Sequence, residues 1–246
     1  MVAANSILFS RANFEIATKY LSAWVQQMVN LANTLGNNIV DLQGPSATKE
    51  NFENYIRLRD PYFFIGCGHG QVDRLAGQNN EIILSDETAY LMRNRIVYLY
   101  SCNTGAFLGQ RLVDMGAVGY LGYKTEFKFY ISDPPLSNPT ADPMARPFFE
   151  SGNSIIDAIL KGRSIQEAYM TAVNSFNKWI DYWSQQDVPE APSIIAALYW
   201  NRDNLVSFGE LERKYTTVPL KVTSPLIILP LVGLVALGLV YTSQKG

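Results

Sequence analysis

The sequence predicts an α/β fold built on a mostly parallel sheet with helices on both faces. Short runs that are apolar almost throughout, such as Tyr62-Phe-Phe-Ile-Gly66 and Arg95-Ile-Val-Tyr-Leu-Tyr100, alternate with stretches of helical periodicity. Strands buried on both faces and separated by helices are the mark of a parallel sheet. The alternation runs through residues 1–209 without a repeat or a low-complexity tract. With 246 residues, 48% of them apolar, the chain is long enough for one sizeable core, or one domain plus an appendage.

Taken in order, Ser6-Ile-Leu-Phe9 reads as a first buried strand. Phe14, Ala17, Leu21, Trp24, Met28, Leu31 and Leu35 recur at spacings of 3 and 4, which describe one helix face, and Gly36 closes it. Asn38–Leu42 is a second strand ended by Gly44-Pro45, and a helix over 48–59 buries Phe52, Tyr55 and Ile56. Strands at 62–66 and 95–100 follow, then a helix over 106–115 and a strand over 117–122. Residues 124–147 hold five prolines and no periodicity, which reads as a long lid or mobile loop. Helices resume at 147–161 and again where Ser164-Ile-Gln-Glu167 has capping-box spacing, the second running to Trp183. Ile194–Trp200, a last short apolar run, is expected to be the final strand.

The C-terminal part has a different character. Pro225–Tyr241 is a 17-residue run without a charge, the short end of a membrane span. It is interrupted by Pro230 and followed by Thr242–Gly246, which offers no element to cover it. The expectation is a single transmembrane helix at 225–241, joined to a domain over 1–209 by a juxtamembrane linker at 210–224. Arg213, Lys214 and Lys221 precede the run and Lys245 follows it, so the positive-inside tendency places the body of the protein on the cytoplasmic side. The N-terminus lacks the basic start and long apolar stretch of a secretory signal.

Composition also narrows the chemistry. Twenty basic against 22 acidic side chains, net charge −2, give no nucleic-acid footprint. Two cysteines and one histidine are too few for a disulfide scaffold or a Cys/His zinc cluster. Imidazole chemistry at neutral pH must therefore come from His69. In an open parallel sheet, reacting groups gather beyond the carboxyl ends of the strands. One strand here ends Ile65-Gly-Cys-Gly-His69-Gly70 and another Leu99-Tyr-Ser-Cys102-Asn-Thr-Gly105. If the two strands are neighbours, His69 and Cys102 can form a base–nucleophile pair. The backbone amides of Gly70 and Cys102 are then the natural oxyanion donors. Singly, a histidine after a strand and a strand-end cysteine are more often structural, and Cys67, in a glycine-flanked turn, fits that description. Their joint position carries the functional reading.

At these residues the sequence resembles the caspase-like fold of cysteine peptidases, the group of caspases, gingipains, clostripain-type enzymes and CHAT-domain proteases. Members share an apolar strand ending in His-Gly, here Tyr62–Ile65 then His69-Gly70. They share a later apolar strand ending in a small residue and Cys, here Arg95–Tyr100 then Ser101-Cys102. The 33-residue separation of His69 and Cys102 and the Cys102-Asn-Thr-Gly105 continuation are gingipain- or CHAT-like, as are Leu108-Gly109, Gly116-Ala117 and Gly162–Ala168. The resemblance covers residues 6–209 and implies a three-layer α/β/α sandwich. It also implies peptide hydrolysis with Cys102 as nucleophile and His69 as general base and acid, without metal or cofactor. Asp41, at the end of the second strand, is a candidate for orienting His69. Tyr100 and Ser101 are candidates for substrate contact. Several Arg/Lys-specific relatives carry Asp, and caspases Gln, two residues before the nucleophile. Tyr100 holds that position here, so an acid for a basic substrate residue would have to come from another loop, such as Asp73 or Asp133. Lys128 and Arg146 are candidate self-cleavage points. The function expected is a membrane-anchored cysteine endopeptidase acting on proteins or peptides; the alternative is a catalytically silent caspase-like scaffold or sensor. A nucleotide-binding doubly wound domain is disfavoured, because Ser10-Arg-Ala-Asn13 after the first strand has no glycine.

Overall fold

The computed structural model describes residues 3–215. Six strands form the central sheet: β1 (Ala3–Arg11), β2 (Asn38–Gln43), β3 (Pro61–Cys67), β7 (Ile96–Tyr100), β8 (Gly119–Tyr123) and β9 (Leu205–Gly209). Their order across the sheet is β2-β1-β3-β7-β8-β9, and all neighbours are parallel except β9, which runs antiparallel to β8. Between β3 and β7 the chain makes a small antiparallel sheet from β4 (Gly70–Gln71), β5 (Arg74–Ala76) and β6 (Ile82–Ser85). The helices are α1 (Ile16–Thr34), α2 (Lys49–Arg59), α3 (Leu108–Asp114), α4 (Arg146–Leu160), α5 (Ile165–Ser184) and α6 (Ala191–Asn204).

Side chains alternate across each strand and so divide the core in two. Phe63, Ile65 and Cys67 of β3 and Ile96, Tyr98 and Tyr100 of β7 face one side, where they pack with α1, α4, α5 and α6. Phe64, Val97 and Leu99 face the other, against Phe52 and Ile56 of α2, Leu108 and Leu112 of α3, and Leu75 and Leu84 of the small sheet. The result is three layers, as the apolar runs predict. Packing is close where α4 crosses β7: a Cβ on Gly152 would collide with the Tyr100 hydroxyl.

Local signals explain most boundaries. Thr48 caps α2 by accepting from the Asn51 amide at 3.3 Å. The capping box of α5 is present, with Glu167 N–H donating to Ser164 Oγ at 3.2 Å and Ser164 N–H to Glu167 Oε2 at 2.7 Å. Gly36 follows α1 at φ 75°, in the left-handed region glycine enters without strain.

Two expectations are corrected. Ile194–Trp200 is not a strand but part of α6. Ala191, Ile194, Ala197, Leu198 and Asn201 are buried at helical spacing, and the last strand is the following Leu-Val-Ser-Phe-Gly of β9. Residues 124–145 have little regular structure, as expected, yet they are not a free lid. Exposed Lys124, Glu126, Lys128 and Tyr130 alternate with inward Phe127, Phe129 and Ile131. Buried Asn201 accepts from the Lys128 amide at 2.8 Å and donates to the Lys128 carbonyl at 2.6 Å, while Trp200 Nε1 donates to the Glu126 carbonyl at 2.8 Å. Farther along, Asp142 is fully buried and accepts from Tyr20 Oη at 2.8 Å, Ser132 Oγ at 2.9 Å and the amides of Ser132 and Met144, each at 2.9 Å.

Of the candidate self-cleavage points, Arg146 lies in the first turn of α4, not in an extended form, and Lys128 has both its backbone groups engaged by Asn201. The run 225–241 lies outside the described residues. Among those described, no helix is long and apolar enough to cross a membrane.

Candidate active site

The sheet order creates a switch point. From β1 the chain moves outward to β2, whereas from β3 it moves the other way to β7, so a crevice opens beyond the carboxyl ends of β1 and β3. Three neighbouring strands deliver their next residues to it. Cys67 of β3 is in register with Tyr100 of β7, so His69 and Cys102 each follow a matched pair by two residues. On the other side Arg11 of β1 is in register with Cys67, and Glu15 follows at the start of α1.

His69 Nε2 lies 2.6 Å from Glu15 Oε1, and Phe14 meets the imidazole edge-on with ring centroids 6.0 Å apart. Glu15 is itself fixed as the N-cap of α1: its amide and that of Phe14 both donate to Thr18 Oγ1 at 3.1 Å. With Nε2 turned to a carboxylate, the nitrogen left to exchange a proton is Nδ1. Glu15 is the residue that sequence reasoning missed. Asp41, expected in this role, is held by Arg11, whose Nε and Nη2 donate to its two oxygens at 2.8 and 2.6 Å. That fork consumes both carboxylate oxygens in a structural pair.

Cys102 is partly buried, and its Sγ accepts from the Phe127 amide at 3.4 Å. Burial pushes the thiol above its ordinary pKa, the Phe127 amide opposes this, and the charge of Glu126 adds to it. No hydrogen bond joins Cys102 directly to His69, although both line one cavity. Cys67 points into the core instead, where burial pushes its thiol up to about 12, so it is the inert member of the pair.

The loop after β7 is built to hold Cys102 still. Ser101, Thr104 and Tyr120 form a buried hydroxyl chain at 3.1 and 2.9 Å, and Asn103 turns the backbone at φ 62°, a conformation asparagine tolerates. Gly70 packs directly on this loop: a Cβ there would collide with the Cys102 carbonyl oxygen. Because Ala76 N–H donates to the His69 carbonyl at 2.8 Å, Gly70 and Leu75 form a non-hydrogen-bonded pair, and the Gly70 amide is not used by the ladder. Among the described residues the Cys102 amide has no acceptor either.

The cavity at the crevice is about 150 Å³ and is lined by His69, Ser101 and Cys102 together with Leu21, Tyr100, Phe127, Phe129 and Phe149, among others. Tyr100 and Ser101 thus both face it, but their hydroxyls are engaged elsewhere, Tyr100 Oη with the Phe148 carbonyl at 3.3 Å. Asp73 and Asp133 do not line it, and Asp73 is paired with Arg74 at 2.6 Å. Among the described residues, no group of three or more His, Cys, Asp or Glu is placed to hold a metal ion.

Compared by sequence, the chain matches no protein-family model and no curated protein. Compared by structure, it is similar to gingipain R, the Arg-specific cysteine proteinase, with a TM-score of 0.58 and 11% identity over 87% of this chain and 48% of that one. It is also similar to a complex of the pro- and mature domains of RgpB from Porphyromonas gingivalis, with a TM-score of 0.56 and 11% identity over 87% and 49%. The chain therefore spans about half the length of the gingipain chains it matches. At that identity what is shared is the fold, a caspase-like α/β architecture with a mostly parallel central sheet.

Proposed function

We propose that the protein is a cysteine endopeptidase in which Cys102 is the nucleophile, His69 the general base and acid, and Glu15 the group that orients His69. The observation that carries this reading is the register: His69 and Cys102 leave the carboxyl ends of adjacent strands and line one cavity, and Glu15, delivered from the strand on the other side, meets His69. The likeness to gingipain R, a cysteine proteinase, supports the same chemistry at the level of the fold.

Glu15 holds the tautomer with the proton on Nε2, which leaves the Nδ1 lone pair to take the proton of Cys102 Sγ. The thiolate forms a bond to the carbonyl carbon, and the charge that develops on oxygen is met by the amides of Gly70 and Cys102. Such donors are worth about 3 kcal/mol in the transition state. The C–N bond then breaks as the imidazolium gives its proton to the departing amine. Water, deprotonated by His69, hydrolyses the thioester and returns the thiol. Burial keeps the resting thiol protonated, so the mechanism needs this base instead of a preformed thiolate. The hydrogen bond from Sγ to His69 is one that forms with substrate, as catalytic contacts in free enzymes often do.

The test is hydrolysis of a peptide library, and labelling by an acyloxymethylketone probe, for the full chain beside its variants. Cys102→Ala and His69→Ala are expected to lose about 10⁴-fold or more of the activity, and Cys67→Ala to keep it. Equal loss in both cysteine variants, or an unlabelled and inactive wild type, overturns the reading. The latter result would favour a silent scaffold, the reading to which the absence of a resting His69–Cys102 contact lends weight.

Membrane attachment through 225–241, with the domain on the cytoplasmic side, is part of the proposal and is supported by the uncharged run alone. It predicts that the full chain sediments with membranes and resists alkaline extraction, while a chain ending at Thr217 is released. A cut after Lys214 would be a poor test, because it removes buried Tyr215, whose hydroxyl donates to Asn37 at 2.7 Å.

A further inference from the structure

We infer that the cavity beside Cys102 receives an uncharged apolar side chain, that of the residue on the amino side of the scissile bond (P1). The enzyme then cuts after leucine- or phenylalanine-like residues and not after arginine, lysine or aspartate. The inference rests on the peptidase reading above and adds the substrate class.

The P1 side chain leaves the carbon attached to the attacked carbonyl, so it must enter a space that the thiol lines. The cavity meets that condition, with Cys102, Ser101 and His69 among its lining residues. Its walls are apolar: Leu21 and Ala17 from α1, Phe127 and Phe129 from the extended segment, Phe149 from α4, and the ring of Tyr100 beneath. The volume is about 150 Å³, and an apolar cavity of about that size is known to take up a benzene ring. A phenylalanine or leucine side chain therefore fits.

Apart from His69 and Cys102, whose free groups the reaction uses, no polar side chain lining the cavity is free to meet a charge. Thr18 Oγ1 accepts from the Phe14 and Glu15 amides and donates to the Glu15 carbonyl at 3.2 Å. The Tyr100 hydroxyl is used by Phe148, and the Ser101 hydroxyl belongs to the chain with Thr104 and Tyr120. Of the nearby charged groups, Glu15 is taken by His69. Glu126 and Lys128 occupy the outward positions of the alternating segment that sends Phe127 and Phe129 inward. A guanidinium, ammonium or carboxylate entering here would lose its water and gain no partner, which disfavours it strongly.

The experiment compares kcat/KM of the full chain on tetrapeptide coumarin amides with Phe, Leu, Ala, Arg, Lys or Asp at P1. Phe and Leu are expected to exceed Arg, Lys and Asp by about a hundredfold, the range that pocket fit imposes on a substrate. Ala17→Phe, on the half-buried first turn of α1, fills the cavity. It is expected to lower the ratio of Phe to Ala hydrolysis at least about tenfold. Comparable cleavage after Arg, Lys or Asp, or an unchanged ratio in a folded Ala17→Phe, overturns the apolar assignment and leaves the peptidase reading standing. No hydrolysis at any P1 residue, with Cys102 unlabelled by Phe- and Arg-bearing acyloxymethylketones alike, overturns both.

Discussion

At the scale of single residues, the site separates groups that composition leaves equivalent. Cys67 and Cys102 are both strand-end thiols, but Cys67 is pushed up to about 12 by burial whereas Cys102 opens on a cavity. A thiol at about 12 is ionised to roughly one part in ten thousand at pH 8. Iodoacetamide is therefore expected to add one alkyl group to the native chain, at Cys102. The second appears only after unfolding, and peptide mass mapping reads both. Glu15 offers a sharper test. Its side chain and that of His69 are 45% and 44% exposed, so solvent weakens the pair relative to a buried carboxylate–imidazole contact. Loss of a buried orienting carboxylate costs about 10⁴-fold; for this half-exposed pair Glu15→Gln is expected to lower kcat about tenfold. KM should stay near its wild-type value. A change confined to KM would mean that Glu15 shapes α1 without orienting the base.

At the scale of elements, the segment from Lys124 to Ala145 has a place in the fold that its sequence hides. It behaves as an edge whose backbone partner is a side chain, the buried amide of Asn201 on α6. Asn201→Ala leaves the Lys128 amide and carbonyl without that partner and is expected to cost about 3 kcal/mol, measured by urea unfolding. It should also slow hydrolysis, since Phe127 and Phe129 lose their positions in the cavity wall. The same contrast explains what was legible in the sequence. β3 and β7 are apolar on both faces, and α1 and α5 repeat at helical spacing, so their reading follows from burial alone. The register of β3 on β7 then brings His69 and Cys102 together. By contrast, β4, β5 and β6 are two to four residues long and held by pairing, leaving no pattern to find. The run Ile194–Trp200 is short and apolar, a length at which a strand and a buried helix look alike. Glu15 escapes for another reason: its role comes from β1 lying beside β3, and nothing in Asn13-Phe-Glu15 marks that neighbour.

At the scale of the whole molecule, one buried carboxylate ties together the parts that enclose the cavity. Asp142 accepts from Tyr20 on α1, from Ser132 in the extended segment and from the Met144 amide just before α4. Those are the three elements that supply Leu21, Phe127 and Phe149 to the walls. Burial alone would raise the carboxyl pKa, but the donors from Ser132, Tyr20 and Met144 outweigh it and hold the group below its ordinary value. A carboxylate depressed by folding contributes stability that is fully present above its unfolded pKa, about 3.9, and is lost as pH falls through the folded value. The urea midpoint should therefore be insensitive to this group from pH 7 down to about 5 and should fall below about 4. Asn at 142 keeps one acceptor oxygen but turns an NH2 toward donors, so Asp142→Asn is expected to be less stable at pH 7 by about 3 kcal/mol. Its midpoint should then change less between pH 5 and 2.5 than that of the wild type. A variant that keeps the wild-type acid slope would assign the loss of stability to other carboxylates and remove Asp142 as the acid-sensitive tie between α1, the segment and α4.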